Sequence, residues 1–434
     1  MPEILIDRLA FGGSGFGRLD GKACFVPFTT PGDRVRISIE KDKKSYCVGI
    51  ADEILSSSPQ RILPQCPFFG SCGGCNWQQV EYAEQCKQKD NILAETLWRG
   101  ARIDREYIKP ILNSPKLYEY RQRIQLKAHY SNGRTALGFN RRSSHNVVDI
   151  GNRCAIASES LNAAIPSVRE IIASFSDPAK IPQVDLSSSS DGSVSALFHY
   201  AGNSPEQLAT HLRKESYSSA RLHSISMQSG RKNNYRHIAG LQYLNYSVPS
   251  ANGKSLDLYY SPDGFSQVNF AQNIALIEIL TKICKSVPHN SILDLYCGNG
   301  NFSLPLACIA EEVTGYEYFD KSIQLAKYNA SINTLSNAKY FALDSEVAVN
   351  QIATQKKCFD LVIIDPPRIG ADIVSKKLHK TGASNLIYIS CDPLTLSRDI
   401  LHIKESGFEV ALVQPVDMFP QTYHIESLVL LKAL

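Results

Sequence analysis

Residues 386–399 read LIYISCDPLTLSRD, where an apolar, strand-like run ends at a single cysteine, Cys391. An Asp-Pro turn and the start of a helix rich in Ser and Thr follow it. A thiol at the mouth of a strand can meet a bound ligand, and its thiolate form is a strong nucleophile. Most free cysteines are instead buried structural groups. Cys391 therefore becomes a catalytic candidate only if the surrounding sequence supplies a pocket and a base.

A ligand pocket is indicated by the run DLYCGNGNF, which starts at Asp294 within a strand-like segment. Its two glycines allow a tight turn and a close approach of the backbone to a ligand. Three further acids, Glu317, Asp344 and Asp365, end the next strand-like segments, where an acid can accept hydrogen bonds from ribose hydroxyls. The pattern lacks the dinucleotide fingerprint G-x-G-x-x-G and resembles the S-adenosylmethionine-dependent methyltransferases. A different nucleotide-binding enzyme is the alternative.

The motif DPPR at 365–368 bears on which atom would accept a methyl group. Methyltransferases that act on amino groups often have an aromatic residue after D-P-P, and Arg368 stands there instead. Methylation of uracil C5 needs a thiolate that adds at C6 and a base that afterwards removes the C5 proton. Cys391 fits the nucleophile. The base candidate in FPQTYHIES is Glu426, with His424 as its rival, unless Glu426 is only a surface carboxylate or an ion-pair partner.

A separate group of cysteines lies in CPFFGSCGGC, which places Cys66, Cys72 and Cys75 in one loop rich in Gly and Pro. Three thiolates need a fourth ligand to hold a tetrahedral zinc ion or an iron–sulfur cubane. Cys154, in GNRCAIASE, is the nearest later candidate, since Cys86 lies in a helical segment and looks ordinary. Zinc sites usually pair one C-x2-C with another close pair, which is missing here. The spacing therefore favours [4Fe–4S] over zinc and leaves both open.

The composition is that of a soluble globular protein, with 43% hydrophobic and 20% charged residues among 434. We find no apolar run of membrane-spanning length and no signal peptide, so we expect a cytoplasmic protein. Residues 1–150 hold 22 Lys and Arg against 16 Asp and Glu. Such a one-sided basic region suggests a polyanionic partner, with an ordinary solvated face as the alternative. The densest basic segment, 116–142, contains Lys116, Arg121, Arg123, Lys127, Arg134, Arg141 and Arg142.

The elements that must position these residues fall into three predicted segments. Residues 1–55 have short strands broken by Gly-Gly, Asp-Gly and Pro-Gly, which predicts a small RNA-binding β-barrel. Residues 56–260 read as a mixed α/β central domain with the cysteine loop and RNA-binding strands. Residues 261–434 alternate strand-like and helical runs, which predicts a Rossmann-like α/β domain with a doubly wound parallel sheet. In the barrel we expect RNA contacts from Phe11, Phe16, Arg18 and Lys22, and core positions for Phe25, Val26 and Phe28.

Together these motifs resemble the bacterial RNA uracil-C5 methyltransferases, in particular the RumA-type enzymes that act on 23S ribosomal RNA. The resemblance covers nearly the whole chain and includes an N-terminal segment similar to a TRAM domain. Its motifs are C-x5-C-G-G-C, DGFSQVNFAQN, LDLYCGNGNFSLPLA, IIDPPRIGA, YISCDPLTLSRD and FPQTYHIE. It implies Cys391 as nucleophile and Glu426 as base. It also implies a [4Fe–4S] cluster on Cys66, Cys72, Cys75 and Cys154, and S-adenosylmethionine contacts from Gln267, Tyr296, Asn301, Glu317, Asp344 and Asp365.

The same resemblance bears on the substrate. Relatives that act on tRNA generally lack both the TRAM-like domain and the cysteine cluster, so their presence favours 23S rRNA, although some cluster-bearing relatives act on tRNA. Cytosine-C5 methylation is chemically close, but the order of the motifs resembles the uracil family. A catalytically inactive iron–sulfur protein that binds RNA is the alternative from another class. Nothing in the sequence indicates an oligomer, so we expect a monomer.

Overall fold

The computed structural model describes residues 1–216, 221–230 and 234–434. The first strands are β1 (Glu3–Leu9), β2 (Ser14–Leu19), β3 (Lys22–Pro27), β4 (Arg34–Asp42) and β5 (Tyr46–Ser56). They close into a barrel in the order β1-β2-β3-β5-β4. Closure leaves no unpaired sheet edge that could pair with another chain. The predicted N-terminal barrel is confirmed.

The barrel core differs from the expectation at two residues. Val26 is fully buried, but Phe25 and Phe28 are only half-buried. Alternate side chains of a strand face opposite sides of the sheet. Along β3, Cys24 and Val26 therefore point inward, and Phe25 points outward. Phe28 lies beyond the end of β3, where its ring packs edge-on against Phe69 with centroids 5.2 Å apart.

Residues 57–81, which we call the cysteine loop, connect the barrel to α1 (Tyr82–Ala101). The helix presents Ile92, Leu93 and Leu97 on one buried face, at the spacing expected of an amphipathic helix. It ends at Arg102, whose left-handed conformation (φ 53°) lets its amide bond to the carbonyl groups of the last turn. The buried face of α1 is turned toward the C-terminal sheet described below.

The central sheet has seven strands in the described part of the chain. Two helices, α2 (Glu159–Ser174) and α3 (Pro205–Ser216), lie between these strands in sequence. Its strands are β6 (Arg123–Ser131), β7 (Arg134–Asn140), β8 (Val147–Asp149), β9 (Gln183–Ser188), β10 (Val194–Tyr200), β11 (Ser224–Ser229) and β12 (Tyr235–Gly240). Their order in the described part of the chain is β12-β11-β10-β9-β6-β7-β8. Aliphatic residues of both helices and of the inner strands form one core beneath the sheet. The hairpin of β13 (Leu244–Pro249) and β14 (Ser255–Tyr260) follows.

The C-terminal sheet has the order β17-β16-β15-β18-β19-β21-β20. These strands are β15 (Ser291–Leu295), β16 (Glu312–Glu317), β17 (Ala338–Ala342), β18 (Leu361–Ile364), β19 (Asn385–Ser390), β20 (Phe408–Val416) and β21 (Glu426–Ala433). Strands β15 to β19 are parallel, and β21 runs antiparallel to both β19 and β20. The predicted doubly wound α/β domain is confirmed.

Helices cover both faces of this sheet, as the sequence predicts for parallel strands. They are α4 (Phe270–Cys284), α5 (Ser303–Ala307), α6 (Asp320–Ile332), α7 (Ser345–Gln355), α8 (Asp372–Ser375) and α9 (Pro393–Glu405). Short 3₁₀ turns lie at Arg105–Tyr107, Pro178–Lys180 and Leu378–Thr381. No helix in the described ranges combines the length and the apolar character needed to cross a membrane.

Residues outside the C-terminal segment contribute to the two cores of its sheet. On one face, Trp77, Leu93 and Leu97 pack with Leu396 and Ile400 of α9. On the other face, the β13–β14 hairpin packs against α4 and α6. The boundaries after residues 55 and 260 stay a prediction. The packing shows that the segment between them supplies a helix and a hairpin to the C-terminal sheet.

Candidate active site

Cys391 and Glu426 face each other at the edge of the C-terminal sheet. Strands β19 and β21 are antiparallel, and Ser390 pairs with Ser427 at the end of their ladder. The same register, continued by one position, places Cys391 opposite Glu426, and the Glu426 carboxyl acts on the pKa of the thiol. Directly opposed residues of an antiparallel pair have their side chains on the same face, with Cβ atoms about 5 Å apart. The strand register therefore brings the predicted nucleophile and the predicted base together.

Burial governs the protonation of both groups. Burial, followed by the nearby Glu426 carboxyl, raises the pKa of the Cys391 thiol to about 12, while Arg368 lowers it. Burial also raises the pKa of the Glu426 carboxyl well above its ordinary value; Asp365 adds to the rise and Arg368 opposes it. Both shifts therefore favour the protonated forms of these groups. Arg368 is the neighbour that favours their ionised forms.

His424, the rival base, lies in the same site. Burial lowers the pKa of its imidazole to about 4, and the charges of Arg368 and Lys89 act in the same direction. The ring is therefore neutral at pH 7. It packs against Tyr423, with ring centroids 4.3 Å apart, and edge-on against Phe419 at 5.6 Å. These contacts fix a neutral imidazole between two aromatic rings.

Helix α9 fixes the DPPR turn relative to Cys391, which it follows by two residues. Asp399 of this helix is buried and accepts a hydrogen bond from the Ala371 amide at 2.6 Å. Thr395 Oγ1 donates to the Arg368 carbonyl group at 3.2 Å. The helix thus anchors the turn that carries Arg368, whose side chain is hydrogen-bonded to the Cys391 thiol.

The segment just before Glu426, residues 417–425, is an irregular loop that distant side chains hold in place. The hydrogen bonds run from Lys89 Nζ to Asp417 Oδ1 (2.6 Å) and the Phe419 carbonyl (3.0 Å), from Gln85 to Gln421 Oε1 (3.0 Å), from Tyr120 to the Pro420 carbonyl (3.0 Å) and from Asn269 to the Met418 carbonyl (3.1 Å). Gln421 has φ 69°, a conformation that non-glycine residues seldom adopt without such support. The loop is thus built by residues far from it in sequence.

The predicted ligand crevice lies at the same edge of the sheet. The parallel strands all end there, and the strand order changes direction between β15 and β18, where open α/β sheets bind ligands. The predicted cofactor residues lie around this point: Tyr296 directly after β15, Asn301 in the Gly-rich turn, Glu317 at the end of β16, Asp344 after β17, Asp365 directly after β18, and Gln267, which is buried in the loop before α4.

The Gly-rich turn needs the residue types that the sequence shows. Tyr296, Gly298 and Gly300 all have positive φ (63°, 55° and 89°). A Cβ at Gly300 would lie 2.6 Å from Leu304 Cδ1, so a larger residue would clash. The Asn301 side chain accepts a hydrogen bond from Asn273 Nδ2 and donates one to Asn273 Oδ1, both 2.9 Å. This reciprocal pair ties the turn to α4.

Two of the acids are hydrogen-bonded to backbone. Glu317 Oε1 accepts from the Phe319 amide at 2.9 Å. Asp344 caps α7, because its Oδ1 accepts from the Glu346 amide at 2.8 Å. These bonds orient both carboxylates at the strand ends and use one oxygen atom of each.

Two other acids, Asp294 and Asp365, have a pKa that their surroundings raise. The Asp294 carboxylate is buried and forms no ion pair in the described ranges, and its nearest polar neighbour is Ser303, which favours the ionised form. Burial, with Glu317 as the nearest like charge, raises the pKa of Asp294 to about 7. Burial, with Asp294 as the like charge, raises the pKa of Asp365 to about 7 as well. Acids whose pKa is raised by burial in a cleft mark a candidate functional site.

The four predicted cluster cysteines surround one cavity of about 130 Å³. Burial raises the pKa of the Cys72 thiol to about 11 and that of Cys75 to about 12. The walls are mostly apolar, including Phe68, Phe139 and Ile150. No three His, Cys, Asp or Glu side chains in the described ranges converge on a point as ligands of a single metal ion would. Cys66 and Cys154 line the same cavity together with Cys72 and Cys75.

The sequence did not reveal three residues of the site. Arg368 was noted for the aromatic residue that it replaces, and its contact with Cys391 and Glu426 was missed. Lys89 and Asp417 form a buried ion pair that connects α1 to the 417–425 loop. A lysine on the apolar face of an amphipathic helix was the available signal, because a buried lysine needs a partner.

The basic segment 116–142 is only partly on the surface. Arg123 donates to the carbonyl group of Pro262 at 3.2 Å and contacts that of Gly264, so it joins the central sheet to the loop before α4. Arg121 lines the cysteine cavity. Arg141 and Arg142 lie in a groove of about 560 Å³ beside the cysteine loop. Fewer of the seven basic side chains in this segment are therefore available to a polyanion than the sequence alone suggests.

These elements define a methyltransferase-type α/β domain joined to a small barrel. The model of the tRNA (Uracil-5-)-methyltransferase family matches residues 81–434, and that of the TRAM domain matches residues 2–51. The chain belongs to this methyltransferase family, and the resemblance recognised from its motifs is confirmed.

Curated relatives match over nearly the full chain. A protein of Tolumonas auensis named 23S rRNA (uracil(1939)-C(5))-methyltransferase RlmD is 33% identical, with 99% of this chain and 95% of that protein covered. The RlmD protein of Vibrio cholerae is 30% identical over 98% of this chain and 94% of its own length. Among solved structures, the tRNA (uracil-54, C5)-methyltransferase of Pyrococcus abyssi, in complex with S-adenosyl-L-homocysteine, superposes with a TM-score of 0.74 at 24% identity, covering 99% of this chain and 100% of that one. This last likeness concerns the fold.

Proposed function

We propose that this protein transfers a methyl group from S-adenosylmethionine to C5 of a uridine in 23S rRNA. The observation that carries the proposal is the opposition of Cys391 and Glu426 across the β19–β21 register, beside a crevice lined by acids. The chemistry needs one thiol and one base on the same face of a pyrimidine ring. The RlmD relatives, which match over nearly the whole chain, support 23S rRNA as the substrate.

In the proposed reaction, the Cys391 thiolate adds to C6 of the uracil, and C5 becomes a nucleophilic enolate carbon. S-adenosylmethionine would supply the methyl group: C5 bonds to the methyl carbon as the bond from that carbon to sulfur breaks, and S-adenosylhomocysteine leaves with a neutral sulfur. The Glu426 carboxylate then removes the hydrogen from C5, and the bond between C6 and sulfur breaks. Cys391 is released as a thiolate, and the aromatic uracil is restored with its new methyl group.

Both groups must lose their protons before they act. Arg368 lowers the pKa of Cys391 and of Glu426 and is the cation that favours both ionised forms. His424 is neutral and can accept a proton, so it is the second candidate for the base. Glu426 is preferred because its place opposite Cys391 is set by the strand register. The two candidates are separable by substitution.

The acids of the crevice fit the proposed cofactor. A sulfonium is a cation, and neither the buried Asp294 nor the partly buried Asp365 forms an ion pair in the described ranges. A cation bound there would lower the pKa of both carboxyls toward ordinary values. We assign Gln267, Tyr296, Asn301, Glu317, Asp344 and Asp365 to cofactor binding.

We assign a [4Fe–4S] cluster to Cys66, Cys72, Cys75 and Cys154. One water molecule occupies about 10 to 15 Å³ of such a cavity, so the space of about 130 Å³ between the thiols is larger than one zinc ion needs. Four thiolates and a largely apolar wall suit an iron–sulfur cubane. When bound, the cluster would join the cysteine loop to the segment around Cys154.

The RNA has to present its uridine outside a stack, because C6 cannot be reached within a helix. The TRAM barrel and the groove at Arg141 and Arg142 are the surfaces that we assign to the RNA on either side of the target. We also propose that the protein acts as a monomer in the cytoplasm.

A tRNA is the second candidate substrate. The name of the matching family model and the Pyrococcus abyssi structure both refer to tRNA. An inactive iron–sulfur protein that binds RNA is disfavoured, because Cys391, Glu426 and the crevice acids are all present. Each possibility makes a different prediction for one assay.

The test is tritium release from RNA labelled at uridine C5, with 23S rRNA fragments and tRNA transcripts in parallel. Release from 23S rRNA alone supports the proposal; release from tRNA alone supports the second candidate. No release from either RNA by protein that binds S-adenosylmethionine would contradict both. Mass-spectrometric mapping of 5-methyluridine in cells with and without the protein then identifies the nucleotide, and the position named in the relatives is the first to examine.

A further inference from the structure

Arg121 lies between the cysteine cavity and the 417–425 loop. It lines the cavity together with the four cysteines. Its guanidinium carbon also lies over the Phe419 ring, 5.7 Å from the centroid. The backbone amide of Arg121 donates to the carbonyl group of Ile156 at 2.9 Å, which anchors it beside Cys154. One cation therefore contacts both the cluster site and the loop that leads to Glu426.

The Arg121 side chain is hydrogen-bonded to Tyr120, but its charge has no carboxylate partner in the described ranges. Its buried Nε atom has no hydrogen-bond partner there. A guanidinium without a counter-ion is strongly disfavoured away from water. The four cysteines that line the cavity with Arg121 would be anionic as cluster ligands. The anionic partner that the guanidinium lacks is thus on the side of the cysteines.

A second connection joins the cysteine loop to the active site. The amides of Asn76 and Trp77 donate to the Gln421 carbonyl at 3.0 and 3.1 Å. Asn76 directly follows Cys75, and Gln421 lies in the loop that ends at Glu426. A change in the position of Cys75 would therefore reach this loop through the backbone, and a change at Arg121 would reach it through Phe419.

We propose that Arg121 is a positioning residue that balances the charge of four cluster thiolates and fixes the 417–425 loop through Phe419. This inference rests on the proposed [4Fe–4S] cluster. Cluster loss would leave Arg121 as an unpaired cation and loosen the loop before Glu426. The cluster site and the methylation site are then coupled through one side chain, without electron transfer between them.

Three variants separate charge from shape. Arg121→Met removes the charge and keeps most of the volume, and Arg121→Lys keeps the charge. Arg153→Met is the matched control, because Arg153 also lines the cavity but is 68% exposed and already paired with Glu119. Circular dichroism and S-adenosylhomocysteine binding verify that each variant is folded.

The first readout is retention of iron and sulfide after anaerobic purification and during incubation with a chelator. We expect Arg121→Met to lose iron about 10-fold faster than the wild type, the size of effect usual for groups that support metal ligands. Arg121→Lys should lie near the wild type, and Arg153→Met should equal it. A wild-type protein without iron and sulfide would contradict the cluster itself. If wild type and Arg121→Met retain iron equally, the proposed role of Arg121 is overturned, while the cluster assignment stands. If Arg121→Lys loses iron as fast as Arg121→Met, the proposed role of the charge is overturned as well.

The second readout is hydrogen exchange of the backbone amides in residues 417–425. In the wild type, removal of the cluster should speed exchange there about 10-fold, because the loop opens locally. Peptides from the barrel strand β3 serve as the internal reference and should not change. Unchanged exchange in 417–425 after complete removal of iron would overturn the proposed coupling.

Discussion

Lys89 and Asp417, which are 328 residues apart in sequence, form an ion pair with both side chains fully buried, with Nζ 2.6 Å from Oδ1. Lys89 Nζ also donates to the Phe419 carbonyl at 3.0 Å. The pair joins α1 to the beginning of the 417–425 loop. A buried pair of this kind contributes less to stability than to keeping two segments in one arrangement, because both charges must leave water.

Removing one partner should be costly. We expect Lys89→Met to lower the free energy of unfolding by about 3 to 5 kcal/mol, because Asp417 would remain buried without its counter-charge. Lys87→Met is the control: Lys87 is 66% exposed and pairs with Glu84 on the same helix, so its loss should cost about 0.5 kcal/mol or less. Urea denaturation followed by tryptophan fluorescence, to which buried Trp77 contributes, measures both. Equal stability of the two variants would contradict this account.

Cys391→Ala should abolish methylation while RNA binding remains. The thiol is the proposed nucleophile, so turnover should fall by about 10⁴-fold or more. Cys358→Ala, at an exposed cysteine that precedes β18 whereas Asp365 follows this strand, should keep full activity. Tritium release and filter binding of the same RNA give the two quantities. Measurable turnover by Cys391→Ala would refute covalent catalysis by this residue.

Glu426→Gln should stop the reaction after methyl transfer. Without a carboxylate to remove the C5 hydrogen, the bond between Cys391 and C6 cannot break, and turnover should fall by about 100-fold or more. A covalent adduct between RNA and protein should then accumulate and survive a denaturing gel. His424→Gln serves as the comparison. Adduct accumulation in His424→Gln and not in Glu426→Gln would make His424 the base.

Binding of the methyl donor should depend on pH in a defined direction. The pKa of Asp294 and of Asp365 is raised to about 7 in the folded protein, from an ordinary value of 3.8. Both carboxyls ionise as the pH rises through 7, and the crevice then attracts a sulfonium more strongly. We expect the affinity for S-adenosylmethionine relative to S-adenosylhomocysteine, which has a neutral sulfur, to rise about 5-fold between pH 6 and pH 8. Titration calorimetry measures this ratio.

The control for this prediction is Asp365→Asn, which removes one of the two titrating groups and should weaken the pH dependence. Asp360→Asn, at the opposite edge of the sheet, where Asp360 accepts from the Ser291 amide, should keep it. The same shifts act on stability. Because the folded protein binds these protons more tightly than the unfolded chain, their contribution is full below about pH 4 and is lost as the pH rises through 7. An affinity ratio independent of pH would contradict the assignment of the acids.

The strand pattern made the C-terminal sheet and its ligand edge predictable. Acids and a cysteine placed after successive parallel strands must meet at one edge, so Glu317, Asp365 and Cys391 could be grouped from spacing alone. The family motif added Gln267, which no periodicity would have indicated. The barrel was predictable from its turns. Phe25 was misassigned because an aromatic residue in a strand suggests a core position, while strand alternation turns it outward.

The supports of the site could not be read from the sequence. Lys89, Gln85 and Tyr120 hold the 417–425 loop from positions about three hundred residues away, and no local pattern encodes such a contact. Arg121 appeared as one basic residue among seven, because a charge count does not distinguish a surface side chain from one that lines a cavity. Buried polar contacts depend on the complete tertiary arrangement.

The docking of α1 on the C-terminal sheet has a consequence during synthesis. Ribosomes release the chain from its amino end, so this helix emerges long before β19 and β21, against which its core is completed. The apolar face of α1 and the Lys89 side chain therefore lack their packing and ion-pair partners in the nascent chain until the last strand has been translated. A premature stop anywhere before residue 426 would therefore leave a truncated protein that exposes the apolar face of α1. Such a product would be prone to aggregate and would depend on chaperones, even though all of its amino-terminal segments were present.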